Sequence, residues 1–351
     1  MRIAIDTTPL LSAGTGIARA TREMLNELVK LPCKHELVGV GRRLLGPSVE
    51  LPIRNVRVRL PRKAEALMRS LRLVERLCPA DLYHATDFYL PIADPSRAVA
   101  TVWDLIFLTN PEKMVDHDRL RQWAPDFIRR CRAVIAISEH TKRDVVSVLG
   151  VPAERVHVVH LAVDHHVFCP SAATVERPYF FTLSCSTGRK NTPLLLRAYA
   201  ELAKQNPRND LVLAWDPPPE IRAKFGDHPR IRFIGRQGED ALRTLYSGAT
   251  ALVFPSLQEG FGLPVLEAMS CGAPVITSNT TSLPEVGGEA AMYVDPRDIG
   301  ALVAALQAFD DGTVDMAAMR AKGLAQAARF TWKKCAREML AVYERSFRCE
   351  S

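Results

Sequence analysis

The sequence predicts an α/β protein made of two Rossmann-like domains, each a parallel sheet flanked by helices, with a cleft between them. Three observations carry that expectation. Short apolar runs of strand length alternate with amphipathic stretches of helix length along the chain, the pattern of parallel sheets. The alternation falls into two sets separated by a polar, irregular stretch at 164–177. At 351 residues the chain is long enough for two separate cores.

In the first set, residues 2–6 read as a strand, 16–30 as a helix and 36–40 as a strand. Residues 81–85 form a buried strand end, and 98–102 a further strand. A helix at 120–132, a strand at 133–137, a helix at 139–149 and a strand at 157–161 complete the set. The second set opens with strand 179–183 and helix 193–203, then strands at 211–215, 231–234 and 251–255. Pro264 suits the first position of the next helix, where its missing N–H costs nothing. Gly272 fits a left-handed stop and Pro274 prevents continuation. Strand 275–277 follows, then helices after Asp298 and a long helix after Phe330-Thr-Trp-Lys. There is no internal repeat and no low-complexity tract.

Apolar content of 47% with 24% charged residues is that of an ordinary globular protein. No run approaches the ~18 apolar residues needed to span a bilayer. The start, Met-Arg-Ile-Ala-Ile-Asp, reads as a strand rather than a signal peptide. Eight cysteines stand at 33, 78, 131, 169, 185, 271, 335 and 349 without a CxxC pair, and read as reduced thiols of a cytosolic protein. His157, His160, His165 and His166 lack metal-ligand spacing.

Charge is uneven. Residues 1–165 hold 25 Lys and Arg against 19 Asp and Glu, which leaves 21 against 20 for the remainder. Eight basic residues fall within 54–76 (Arg54, Arg57, Arg59, Arg62, Lys63, Arg69, Arg72, Arg76) against two acidic ones. Leu67, Leu71, Val74 and Leu77 recur there at helical spacing. One reading is a basic amphipathic helix lying on an anionic membrane. The other is a helix packed on its own domain with a solvated arginine face. Nucleic acid is not expected as a partner, because neither a recognition motif nor aromatic interleaving accompanies the charge.

The most informative stretch is Glu259-Gly-Phe-Gly-Leu-Pro-Val-Leu-Glu267. Strand, glycine loop, short helix, strand is the unit that aims backbone N–H groups at a phosphate. Glu259 in the loop and Glu267, expected in the first helical turn, can accept hydrogen bonds from sugar and ribose hydroxyls. A second loop, Ser12-Ala-Gly-Thr-Gly-Ile17, joins the first strand to the first helix, where glycines let the backbone approach a ligand. A third, Gly188-Arg-Lys-Asn191, places two cations between a strand and a helix.

These motifs resemble those of the retaining GT-B glycosyltransferases of family 4 across nearly the whole chain, most strongly over 251–296. The Glu259/Glu267 pair is similar to that family's Glu-x7-Glu motif, with Gly262, Leu263, Val265 and Glu267 on the donor. Arg189 and Lys190 resemble the basic pair that neutralises the donor diphosphate. Such help stabilises the charge that develops as a nucleoside diphosphate leaves. Gly16 belongs to the loop that faces donor phosphates and acceptor. Gly235 and Arg236, in Phe233-Ile-Gly-Arg-Gln237, followed by Leu242 to Tyr246, resemble the segment whose backbone frames the base, which leaves base identity open. The resemblance implies an acceptor-side domain at 1–165, a nucleotide-sugar-binding domain at 166–330, and a helix at 331–351 returning to the first domain.

The chain departs from this family in places. Ala18 replaces a usual glycine, and Ser184 and Thr187 replace a usual glycine and glutamate. Asp81-Leu-Tyr-His84 resembles a strand end with an active-site histidine, and His84 reads either as that residue or as a core histidine. Where relatives have Thr-x-His-Asp-Leu, this chain has Thr101-Val-Trp103-Asp104-Leu105. Either His84 and Asp104 carry the polar duties, or Trp103 reshapes the acceptor side. The favoured family mechanism lets the acceptor attack the face the diphosphate leaves, so no dedicated base is obligatory. Asp116-His-Asp118 matches a metal–nucleotide pattern of another transferase fold but lacks its context, and neither metal nor cofactor is expected.

The implied activity is transfer of a hexose from a nucleotide-diphosphate sugar to a hydroxyl of a glycan or lipid-linked acceptor, with retention, in bacterial surface-polysaccharide synthesis. GDP-mannose is favoured over UDP-sugars by analogy alone. The implied location is the cytoplasm, peripheral at the inner face of the membrane. The alternatives are a nucleotide-sugar 2-epimerase on the same fold, and a non-catalytic nucleotide-sugar-binding subunit.

Overall fold

In the computed structural model, described for residues 1–11, 16–42, 50–59, 64–110, 118–184 and 188–348, the chain forms two compact units. One is Met1–Leu161 with Trp332–Ser351, the other Ala162–Thr331.

The first unit contains β1 (Arg2–Asp6), α1 (Gly16–Leu28), β2 (Glu36–Arg42), β3 (Asn55–Val58), α2 (Glu65–Ser70), α3 (Leu73–Leu77), β4 (Leu82–Ala85), β5 (Ala98–Val102), α4 (Ile106–Thr109), α5 (Asp118–Arg130), β6 (Ala133–Ala136), α6 (Glu139–Leu149) and β7 (Val156–Val158). The second contains β8 (Tyr179–Leu183), α7 (Thr192–Ala203), β9 (Asp210–Ala214), α8 (Pro219–Phe225), β10 (Ile231–Phe233), α9 (Glu239–Gly248), β11 (Ala251–Phe254), α10 (Leu263–Ser270), β12 (Val275–Ser278), α11 (Leu283–Gly287), β13 (Ala291–Val294), α12 (Ile299–Asp310) and α13 (Met316–Ala327). The last helix, α14 (Trp332–Arg348), belongs to the first unit and packs on α1.

Both sheets are parallel throughout. The first runs β3-β2-β1-β4-β5-β6-β7 and the second β10-β9-β8-β11-β12-β13. Strands β4, β5, β6, β9, β11 and β12 are buried at every position. That double-sided burial is why they appear in the sequence as unbroken apolar runs rather than alternating ones. In each sheet the order reverses once, between β1 and β4 and between β8 and β11. Ligands of open α/β sheets bind outside the carboxyl ends of strands at such reversals.

Caps place the helices. Ser138 accepts from Thr141 N at 3.0 Å to start α6, and Gly150 ends it in the left-handed region. Asp298 and Asp315 accept from Ala301 N and Ala318 N, both at 2.9 Å, at the starts of α12 and α13. Gly272 (φ +76°) stops α10.

The structure corrects three expectations. The basic stretch 54–76 is not one helix: Asn55–Val58 is strand β3, and Arg72 (φ 51°) divides the helical remainder into α2 and α3. Of its basic residues, Arg62 and Lys63 lie outside the described residues. Pro264 is the second residue of α10, so Glu267 is the fifth and sits in the second turn. The polar stretch from 164 is not wholly irregular linker. Phe168 is buried and its carbonyl accepts from Ser270 Oγ at 2.5 Å, pinning this segment to the end of α10.

Candidate active site

The second unit brings three sequence-predicted residues together at its reversal point. A tight turn at 188–190 follows β8, and the loop after β11 lies beside it because β8 and β11 are neighbours. Lys190 Nζ and Arg189 Nη1 each stand 2.8 Å from a separate oxygen of Glu259. The Glu259 side chain is 8% exposed and that of Lys190 11%. Burial alone would push the Glu259 carboxyl up, but Lys190 and then Arg189 hold it below the usual carboxylate range. Lys190 also lies 4.1 Å from the Phe254 ring centroid, a cation–π contact that keeps the ammonium over the strand end.

The two loops are stitched through backbone groups. Asn191, held in the left-handed region (φ 57°), donates from Nδ2 to Pro255 O at 3.1 Å and Pro296 O at 2.6 Å. Leu257 N donates to Arg189 O at 2.8 Å. The turn before α11 holds the far side: Glu259 N donates to Thr281 Oγ1 at 3.3 Å. Ser282 Oγ lies 3.0 and 2.6 Å from the carbonyls of Glu259 and Phe261. Glu259 is thus held by its carboxylate on one side and by its backbone on the other.

The loop ends at Gly262, with φ +121°, where an added Cβ would come 2.9 Å from Leu283 Cδ2. Only glycine takes that backbone without strain. Helix α10 begins immediately after it. Val265 N already bonds the Gly262 carbonyl at 3.0 Å and Pro264 has no N–H, so this N-terminus presents fewer donors than its length suggests. Glu267 is 3% exposed and accepts from the Tyr246 hydroxyl at 3.1 Å. Gly235 follows β10 with φ +69°, and Arg236 beside it is exposed.

The expected residues of the first unit are not brought into a comparable cluster. His84 is wholly buried, with Nε2 2.8 Å from Thr101 Oγ1 and Nδ1 2.7 Å from the Tyr343 hydroxyl on α14. Burial lowers its pKa to about 3, so the ring is neutral, with both nitrogens engaged inside its own unit. Asp104 Oδ1 accepts from Ile106 N at 3.0 Å and starts α4. Trp103 is buried, donating to Thr86 O at 2.9 Å. Gly16 is the first residue of α1, with open space where a Cβ would stand. The rest of its loop, 12–15, lies outside the described residues, as do Asp116, His117 and Thr187. Among the described residues no group of three His, Cys, Asp or Glu side chains is placed to hold a metal ion.

Two features escaped the sequence reading. One is a role: Tyr246, on α9 in the stretch likened to the base-framing segment, is the partner of Glu267, which no motif announces. At the first unit's reversal point, Arg42 bridges Asp6 (Nη2–Oδ2 3.3 Å) and Glu65 (Nη1–Oε1 3.0 Å), with the Tyr89 hydroxyl donating to Glu65 at 2.6 Å. The only available signal was that Asp6 and Arg42 end strands.

The fold is that of the GT-B glycosyltransferases: the chain is similar to a sucrose-phosphate synthase from Thermosynechococcus elongatus, with TM-score 0.78 and 19% identity over 99% of each chain. Residues 14–167 match the family described as Glycosyltransferase Family 4, and 178–309 the one described as Glycosyl transferases group 1. The O-antigen chain mannosyltransferase B of Escherichia coli is 32% identical over 284 residues, 75% of this chain and 74% of that one. The serotype-specific mannosyltransferase WbdA of Escherichia coli is 32% identical over 266 residues, 69% of this chain but only 32% of that longer protein. The chain belongs to the family 4 glycosyltransferases.

Proposed function

We propose that the enzyme transfers a hexose, mannose by analogy with its relatives, from a nucleotide-diphosphate sugar to a hydroxyl of a glycan or lipid-linked acceptor in cell-surface polysaccharide synthesis, with retention. The observation that carries this reading is the Lys190–Glu259–Arg189 cluster at the β8/β11 reversal. As the glycosidic C–O bond breaks, negative charge grows on the departing diphosphate, and two fixed cations beside it lower that barrier. A donor entering the site exchanges partners with the resting ion pairs: its phosphates take the cations, and a sugar hydroxyl donates to Glu259. Glu267, held by Tyr246, is assigned to the ribose. With Arg189 and Lys190 supplying positive charge, the reaction is proposed to need no metal. The acceptor is assigned to the first unit; its hydroxyl oxygen bonds the anomeric carbon on the face the diphosphate leaves, and its proton passes to the departing diphosphate oxygen. The test is a donor panel of GDP-, UDP- and ADP-sugars, reading free sugar released and its anomeric configuration by NMR. Retained configuration from one donor is expected. Inversion, or no release from any donor, contradicts the reading.

We further propose that the first unit meets an anionic membrane from the cytoplasmic side. Leu67 on α2, Leu71 in the turn after it and Leu77 on α3 are 52%, 43% and 52% exposed, interleaved with Arg69, Arg72 and Arg76. Exposed leucines beside basic residues suit the headgroup boundary better than water. Among the described residues no helix is long and apolar enough to cross a membrane.

A further inference from the structure

The segment that leads the chain into the second unit staples α9 to α10, the helices that carry Tyr246 and Glu267. From α10, Ser270 Oγ donates to Phe168 O at 2.5 Å and lies 3.0 Å from His165 Nδ1. From α9, Arg243 Nε donates to Cys169 O at 3.1 Å, and Ser247 Oγ accepts from Ser171 N at 3.1 Å. Pinned from both helices, Phe168 is 2% exposed. Its ring meets the wholly buried Tyr246 ring edge-on, with centroids 6.2 Å apart and planes at 64°. Phe181 of β8 meets the same ring at 5.4 Å and 84°. Edge-to-face contacts of this kind fix a ring's tilt as well as its place. The tilt of this ring aims a hydroxyl, because Tyr246 Oη stands 3.1 Å from Glu267 Oε2.

Resting on the assignment of Glu267 to the donor ribose, we infer that Phe168 is a positioning residue of the donor site, acting through Tyr246. The last torsion of a glutamate is broad, so its carboxylate has no set direction of its own. A phenolic O–H bonded to one oxygen is a charge-assisted contact strong enough to orient the group. Ribose hydroxyls donate along particular directions, so recognising them depends on how the carboxylate is turned as well as on its charge. Phe181 is fixed by its sheet, whereas Phe168 lies outside regular secondary structure and owes its place to the staple. Phe168 is therefore the member of the aromatic trio whose seating decides where the Tyr246 hydroxyl points.

Calorimetry on the full chain with GDP, UDP and their 2′,3′-dideoxy analogues tests this. The readout is the ratio of ribonucleotide to dideoxynucleotide affinity, since a merely loosened fold weakens both alike and leaves the ratio unchanged. Wild type is expected to prefer the ribonucleotide by about tenfold or more. Tyr246→Phe and Phe168→Leu should each cut that preference to about threefold or less. Adding Phe168→Leu to Tyr246→Phe should cut it no further, because the hydroxyl that Phe168 places is already gone. Ser270→Ala, which releases the Phe168 carbonyl and keeps the ring, is read in the same way if Phe168→Leu fails to fold. An unchanged ratio in the Phe168 variant, or a further drop in the double variant as large as in the single one, overturns the inference. A wild type that binds nucleotides without preferring ribose overturns the ribose assignment and this inference with it, while the diphosphate site at Arg189 and Lys190 stands. No binding of any of these nucleotides by wild type overturns the donor reading as a whole.

Discussion

Glu259 is ionised although buried, because two cations outweigh the desolvation that would neutralise it. Removing its charge frees Lys190 and Arg189 for a phosphate, so Glu259→Gln should slow transfer sharply while nucleoside-diphosphate affinity stays level or rises. That split marks an interaction made at the reacting sugar; equal loss of both would place Glu259 on the nucleotide instead. His84 makes a different prediction. Its pKa falls from 6.5 when unfolded to about 3 when folded, so the unfolded state binds the proton first. Its contribution to stability is complete above pH 6.5 and is lost as pH falls toward 3, at up to ~1.4 kcal/mol per unit. Glu259, whose folded pKa lies below its unfolded value, loses its contribution only below about pH 4.3. Urea midpoints between pH 7 and 5 should therefore decline for wild type and stay flatter for His84→Gln. Parallel slopes would show that His84 is not the titrating group.

The loop between β11 and α10 owes its shape to Gly262. Gly262→Ala combines a disfavoured backbone with a 2.9 Å approach to Leu283, so a loss of ~1–3 kcal/mol by thermal unfolding is expected, together with weaker nucleotide binding. Wild-type stability would mean that the loop adopts another backbone. Parallel strands, the glycine loop and the basic turn were legible in the sequence because each leaves a local mark: an apolar run, a φ requirement, a charge pair between strand and helix. The second-turn position of Glu267 was not, because proline suits the first two helical positions alike. Nor was the break between α2 and α3, since an arginine entering the left-handed region leaves the leucine spacing intact.

The partner that seals His84 was illegible for a larger reason. The hydroxyl that seals it belongs to Tyr343, 259 residues further on, and comes from a helix that returns to the first unit only in the folded chain. The uneven charge, by contrast, belongs to the whole molecule and is plain in the residue counts. It predicts that wild type sediments with anionic vesicles at low salt and is released as screening rises. Leu67→Ser with Leu71→Ser, or Arg69, Arg72 and Arg76 to Glu, should abolish sedimentation without changing donor hydrolysis. Failure of wild type to sediment would favour a soluble acceptor. The most direct examination of the donor site is calorimetry of nucleoside-diphosphate binding to wild type and to Arg189→Ala/Lys190→Ala, with circular dichroism confirming that both are folded. The cluster at the β8/β11 reversal predicts a loss of about tenfold or more in the double variant; undiminished affinity would show that the diphosphate binds elsewhere.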